Sequence, residues 1–302
     1  MTSSFFAFDW LMAGYCLFMV AMLFLLGDPL GLNLNGIAFY LFTAIVPFAV
    51  VAATRNHGGR FPLAVRYLYP VVLFTFLYRA TADTMFLLFD HFLDDRIVAF
   101  ETMLFGIEPT LWIDFLLPKP ILTDILSACY FSYYLMIPVF TIWVFIRQDF
   151  VVLRRSLSAI TLTFFMSYAL FFLFPAEGPR WFQLAKYNHQ ITGFIFRPMV
   201  DLVIANGAVH GGAMPSSHTG VALIILIYCR RYYRRIAPWL AVLVFGLACG
   251  AVWGRFHYIT DIVVGALIAL VALWITDQWH EHIASAAISS KRNQKVATEY
   301  VP

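Results

Sequence analysis

The chain has 302 residues, of which 62% are hydrophobic, 18% aromatic and only 12% charged. Soluble domains carry about 25% charged residues, so an ordinary soluble globular domain is excluded. A formal net charge of +3, with the basic residues placed in loops, is too small for a nucleic-acid-binding surface. The apolar residues come in long blocks, which predicts an all-α, polytopic transmembrane helix bundle. Eight spans are expected, at about 6–26, 37–53, 61–77, 121–146, 157–174, 215–229, 236–253 and 258–275. Pro138 is a potential kink in the fourth. The four cysteines lie in or at the end of apolar blocks, with no metal or disulfide spacing. No Lys or Arg precedes the first block, so no cleavable signal is expected.

Residues 80–120 do not form a clean span. Asp83, Asp90, His91, Asp94, Asp95, Glu101, Glu108 and Asp114 alternate with aromatics there. Short interfacial helices are expected, with the acids forming a solvated face rather than a metal site. The chain is expected to divide into N-terminal helices plus this interfacial segment (1–120), a second helix bundle that carries the motifs described below (121–278) and a tail (279–302).

Loop charges orient the bundle. One set of loops and the tail carry 13 of the 20 Lys and Arg residues: Arg55, Arg60, Arg66, Arg147, Arg154, Arg155, Arg230, Arg231, Arg234, Arg235, Lys291, Arg292 and Lys295. The positive-inside rule puts both termini in the cytoplasm of a plasma- or inner-membrane protein. Three polar stretches then share the periplasmic or extracytoplasmic face. They are Pro175 to Arg180, Met214 to His218, and Arg255 to Asp261.

His257 and Asp261 are four residues apart at the start of the last span, so they share a helix face. Asp261 can orient the imidazole and leave its other nitrogen free to attack. The same spacing also suits a helix-capping pair. Pro215, Ser216, Ser217 and His218 open the sixth span, with proline expected in its first turn. Its N–H groups and the two serine hydroxyls can cradle an anion, and His218 can move a proton. Plain serine capping accounts for the serines but not for His218. Arg180 and Arg255 can each bind a phosphate or simply sit among headgroups. Residues 215–229 make a helix of only ~22 Å against a hydrocarbon core of ~30 Å. A recessed site reached laterally by a lipid is therefore expected, unless the helix continues through Tyr232 and Tyr233. The other histidines are read as loop or tail residues, with His210 nearest the second motif.

In this order the motifs resemble the superfamily of type 2 phosphatidic acid phosphatases and vanadium haloperoxidases. Its P-S-x-H is met by Pro215 to His218, and its H-x-x-x-D by His257 to Asp261. Two departures stand out: Ala251 replaces the arginine six residues before the histidine, and Gln190 replaces the lysine before Arg197 and Pro198. The G-x-x-P-S-x-H run from Gly212, with Phe105-Gly106 and the Tyr130 to Tyr134 cluster, is similar to the inositol phosphorylceramide and sphingomyelin synthase branch.

The resemblance implies that His257 attacks phosphorus, Asp261 orients it, and His218 protonates the leaving alkoxide. Substrate-binding roles fall to Ser216, Ser217, Arg180 and Arg255, with no metal or other cofactor. The expected substrate is a phospholipid or sphingolipid-type molecule in the bilayer. Its phospho-headgroup would be transferred, as by an inositolphosphotransferase, or hydrolysed, as by a phosphatidic acid or polyprenyl diphosphate phosphatase. A non-catalytic lipid transporter or scramblase is the alternative, although the mid-span regions carry few of the polar groups such a path needs.

Overall fold

A computed structural model describes residues 5–27 and 33–299, with side chains through residue 282. Among the described residues there is no strand. The helices are α1 (Ala7–Leu26), α2 (Leu34–Thr54), α3 (Arg60–Ala80), α4 (Asp94–Phe105), α5 (Pro109–Asp114), α6 (Pro120–Ile146), α7 (Phe150–Leu173), α8 (Pro179–Phe182), α9 (Phe196–Gly207), α10 (Ser217–Tyr232), α11 (Ala237–Trp253) and α12 (Ile259–Glu299). The eight expected spans correspond to α1, α2, α3, α6, α7, α10, α11 and α12. Six are long and apolar enough to cross a membrane by length and composition. The other two, α10 at 16 residues and α11 at 17, are shorter.

α7 is the axis of the bundle. Of its apolar window 72% is buried, against 33–39% for the other five long helices. It packs on α1, α3, α6, α10 and α12. α10 and α12 approach closely because glycines face each other. A Cβ on Gly265 would lie 2.2 Å from the Ser216 carbonyl oxygen, and one on Gly220 would lie 2.7 Å from the Gly265 carbonyl oxygen. Small residues permit such backbone contact between apolar helices. It brings the N-terminal ends of α10 and α12 together.

Several sequence expectations are corrected. Pro215 lies outside α10, before the N-cap Ser216, and the helix continues to Tyr232 before stopping at Tyr233. Arg154 and Arg155 belong to α7, not to a loop. Arg66 is no loop charge either. It is fully buried in α3, paired with Asp9 of α1, whose carboxylate also accepts the Tyr69 hydroxyl. A buried charge persists only when paired and hydrogen-bonded, and this one ties α1 to α3. The expected tail is helical through Glu299, as a continuation of α12. Lys291, Arg292 and Lys295 lie outside the described side chains.

The interfacial segment does contain two short helices, α4 and α5, and Asp83, Asp90 and Asp95 are exposed as expected, but not all of its acids are solvated. Asp94, Glu101 and Asp114 are all buried. Asp94, Glu101 and Asp114 hold two loops and the first turn of α12 at the end of the bundle where α10 and α12 begin.

Candidate active site

The three polar stretches converge at one end of the bundle, and backbone hydrogen bonds fix them to each other. The Ala176 N–H donates to the Gly211 carbonyl at 3.2 Å, and the Ala213 N–H donates to the Ala176 carbonyl at 3.0 Å. The Ser216 N–H donates to the Asp261 carbonyl at 2.9 Å. The start of α10 is thus stapled both to the loop bearing Arg180 and to the helix bearing Asp261.

The α4 and α5 carboxylates complete the frame. Asp94 accepts the N–H groups of Glu177 and Gly178, each at 2.8 Å, and the Tyr258 hydroxyl at 3.0 Å. Gly178 has φ +89°, a conformation that suits glycine. Glu101 accepts both the backbone N–H and the hydroxyl of Thr260 in the first turn of α12. Burial pushes the Asp94 and Glu101 carboxyls above the ordinary range, and these donors draw them partly back. Asp114 goes the other way. Burial raises it, but the N–H groups of Asn188 and His189 together with Arg255 outweigh that and hold it low.

His257 is buried, with Nδ1 2.9 Å from the Ala213 carbonyl oxygen and 3.3 Å from Asp261 Oδ2. A carbonyl oxygen only accepts, so Nδ1 carries the proton and donates, which leaves the Nε2 lone pair free. Asp261 Oδ2 is itself fixed by the Tyr258 N–H at 2.8 Å. The His218 ring centroid is 6.0 Å from that of His257. Attack distances of ~3–3.5 Å and hydrogen bonds of ~3 Å make this gap about one phosphoryl group wide. Tyr133, Tyr130 and Tyr134 of α6 surround His218, with centroids 4.4, 5.6 and 6.2 Å away. These tyrosines lie 10–14 residues into α6, or ~15–21 Å of helix rise below its start. The His218 site is therefore recessed relative to the end of α6.

Both histidines, Ser217 and Arg180 line one cavity of about 400 Å³. Its opposite end is formed by Val71 and Phe74 of α3, Ile137 and Pro138 of α6, and Phe164 of α7. Phe164 lies nine residues before the end of α7, ~14 Å of helix rise into the bundle. The cavity is thus polar at one end and apolar at the other. Arg180 Nη1 and His218 Nδ1 are buried there without a hydrogen-bond partner. Arg180 is the single Lys or Arg among the described residues lining this cavity, and Glu177, held by His210 at 2.7 Å, lies beside it.

Two expected site residues do not reach this cavity. Ser216 is fully buried, and its hydroxyl caps α10 by accepting the Thr219 N–H. Its own N–H is taken by Asp261, so of the anion cradle only the Ser217 and His218 N–H groups occupy the first turn of α10. The Arg255 guanidinium turns toward Asp114, with which it pairs, and stacks 3.5 Å from the Tyr187 ring centroid. Asp94, Glu101 and Asp114 were not legible as clamps, because their partners lie 74 to 164 residues away.

Neither a search of curated proteins nor one of solved structures returned a match. A scan of protein families matched residues 95–275 to the PAP2 superfamily, a group of phosphatases and phosphotransferases. The matched region begins within α4 and so takes in Glu101 and Asp114 as well as both histidines. It covers more than half of the chain and, joined to helices able to cross a membrane, makes this protein a member of the PAP2 superfamily.

Proposed function

We propose that the protein transfers or hydrolyses the phospho-headgroup of a membrane lipid through a phosphohistidine-type intermediate on His257, with the inositolphosphotransferase-like branch as its nearest chemistry. The observation that carries this reading is the two-ended cavity. Two imidazoles and a guanidinium with one unpaired nitrogen sit at one end, and an apolar arm runs into the bundle at the other. An amphiphile with a phosphoester at the junction matches both ends.

In the first step the Nε2 lone pair of His257 attacks phosphorus, and the bond to the leaving oxygen breaks. His218 gives that oxygen its proton. The Nδ1–H of His257 remains hydrogen-bonded to the Ala213 carbonyl and to Asp261, whose negative charge stabilises the imidazolium character that develops. In the second step His218 takes the proton of water or an alcohol, the new oxygen attacks phosphorus, and the N–P bond breaks. Arg180 and the first-turn N–H groups of α10 hold the non-bridging oxygens. One guanidinium next to Glu177 suits the single negative charge of a phosphodiester better than a dianionic monoester. This favours headgroup transfer from a phosphodiester lipid, on the extracytoplasmic side expected from the loop charges.

The test is turnover of labelled phosphodiester and phosphomonoester lipids by the purified full chain, with and without an alcohol acceptor such as a ceramide or diacylglycerol. Turnover that needs the alcohol and favours the diester supports transfer. Turnover that persists in both His257→Ala and His218→Ala overturns the mechanism.

A further inference from the structure

A second cavity, of about 530 Å³, lies beside the first and shares Arg180 with it. Its lining includes Arg197, Arg255, Asn188, His189 and Asp201. None of these residues lines the cavity of the two histidines. The cationic groups are fixed before any ligand arrives. Two nitrogens of Arg197, Nε and Nη2, each donate at 2.9 Å to Asp201, and its guanidinium lies 5.2 Å from the Phe256 ring centroid. Arg255 is held by Asp114 and stacked on Tyr187, as described above.

Beyond Arg180, which the first cavity uses, one donor remains unused. Arg255 Nε is buried and has no hydrogen-bond partner, and the Arg255 side chain is only 9% exposed. Buried guanidinium N–H groups left unpaired are costly, and they can only donate. A ligand here must therefore bring acceptors. Arg197 and Arg255 are each paired with one aspartate, and Glu177 lines the first cavity but not this one, so on this side Arg180 supplies the charge that favours an anionic acceptor. Asn188 and His189 add polar groups of the kind that pair with hydroxyls.

We propose that this second cavity is a headgroup subsite for a hydroxylated, anionic group such as a polyol phosphate. The assignment rests on the reading of the first cavity as a lipid phosphoester site and adds where the polar part of the reaction partners sits. Arg180 forms the wall between them, with the apolar chain on one side and the headgroup on the other. The same chemistry can arrive on a donor lipid or as a free acceptor.

Binding tests this without requiring turnover. The full chain, as wild type and as catalytically silenced His257→Ala, is titrated in detergent with inositol 1-phosphate, glycerol 3-phosphate and uncharged inositol. It is titrated again in nanodiscs with and without a phosphoinositol lipid. Saturable binding of a soluble polyol phosphate, at least tenfold tighter than inositol, indicates a free acceptor. Binding confined to the lipid-borne form indicates the donor headgroup. In either case binding survives His257→Ala, weakens about tenfold in Arg255→Gln, and is lost in Asn188→Trp, which fills the cavity from an exposed position. Wild-type affinity in both Arg255→Gln and Asn188→Trp, or no saturable binding of any probe, overturns the assignment. Intact binding in a protein that turns over no phosphoester would instead refute the proposed function alone.

Discussion

Asp94→Ala removes a residue that touches no substrate but holds the Arg180 loop against the histidine loop. In the folded protein Asp94 is fully buried and accepts three hydrogen bonds, from Glu177, Gly178 and Tyr258. Each buried donor left unpaired costs about 1–3 kcal/mol. Loop relaxation recovers part of that, so a net penalty of ~3 kcal/mol, the low end for three donors, is the working figure. At about 1.4 kcal/mol per factor of ten, the population of loops presenting Arg180 falls ~100-fold. Asp94→Asn keeps an oxygen for Gly178 and Tyr258 but turns an amide nitrogen toward the Glu177 N–H. It loses one bond, ~1–2 kcal/mol, or about tenfold. The assay is kcat/KM on a lipid phosphoester, measured well below the unfolding temperature of every variant. The expected order is wild type, Asn, Ala, in steps of about ten. An Asp94→Ala enzyme within threefold of wild type refutes the reasoning, as does an equal loss in both variants that simply follows thermal stability.

Other outcomes follow from the same geometry. Arg180→Lys keeps the charge but loses the planar fork, so KM should rise about tenfold, and Arg180→Gln should cost more; steady-state kinetics checks both. Val71→Trp narrows the apolar arm and should lower the preference for long-chain over short-chain substrate by about tenfold, read from paired kcat/KM values. Asp114 is held below its ordinary pKa of 3.8, so its contribution to stability is present above that pH and is lost as pH falls through the lower folded value. Thermal unfolding should therefore soften below pH ~4 in wild type and less steeply in Asp114→Asn.

What the sequence made legible was whatever chemistry is local in the chain. The four-residue step from His257 to Asp261 does make a pair, but not on one helix face as expected, because His257 lies two residues before the start of α12. Blocks of apolar residues located the long helices to within a few positions, except that α7 begins seven residues before the expected span and α12 runs on past it to Glu299. The long-range ties were hidden. Asp94, Glu101 and Asp114 look like a solvated acidic run until folding carries them under loops far along the chain. Arg66 looks like a loop charge until Asp9 is brought beside it. Ser216 and Ser217 are adjacent and chemically identical, yet one caps a helix and the other faces the cavity. Arg255 sits two residues from His257 but has φ +61°, an unusual turn for a non-glycine residue that accompanies its placement on Asp114. Nothing in composition or periodicity announces such a turn.

The phosphorylated imidazole itself is the most direct object to look for. Purified wild-type protein, mixed without alcohol acceptor with a donor lipid carrying label on its phosphorus and quenched within milliseconds to minutes, should yield a peptide bearing acid-labile, alkali-stable label on His257. Without an alcohol the second step is slowed and label should accumulate, whereas His218→Ala, which lacks the proton donor of the first step, should gain label much more slowly. Label on any other residue would contradict the assignment, as would undiminished turnover by His257→Ala.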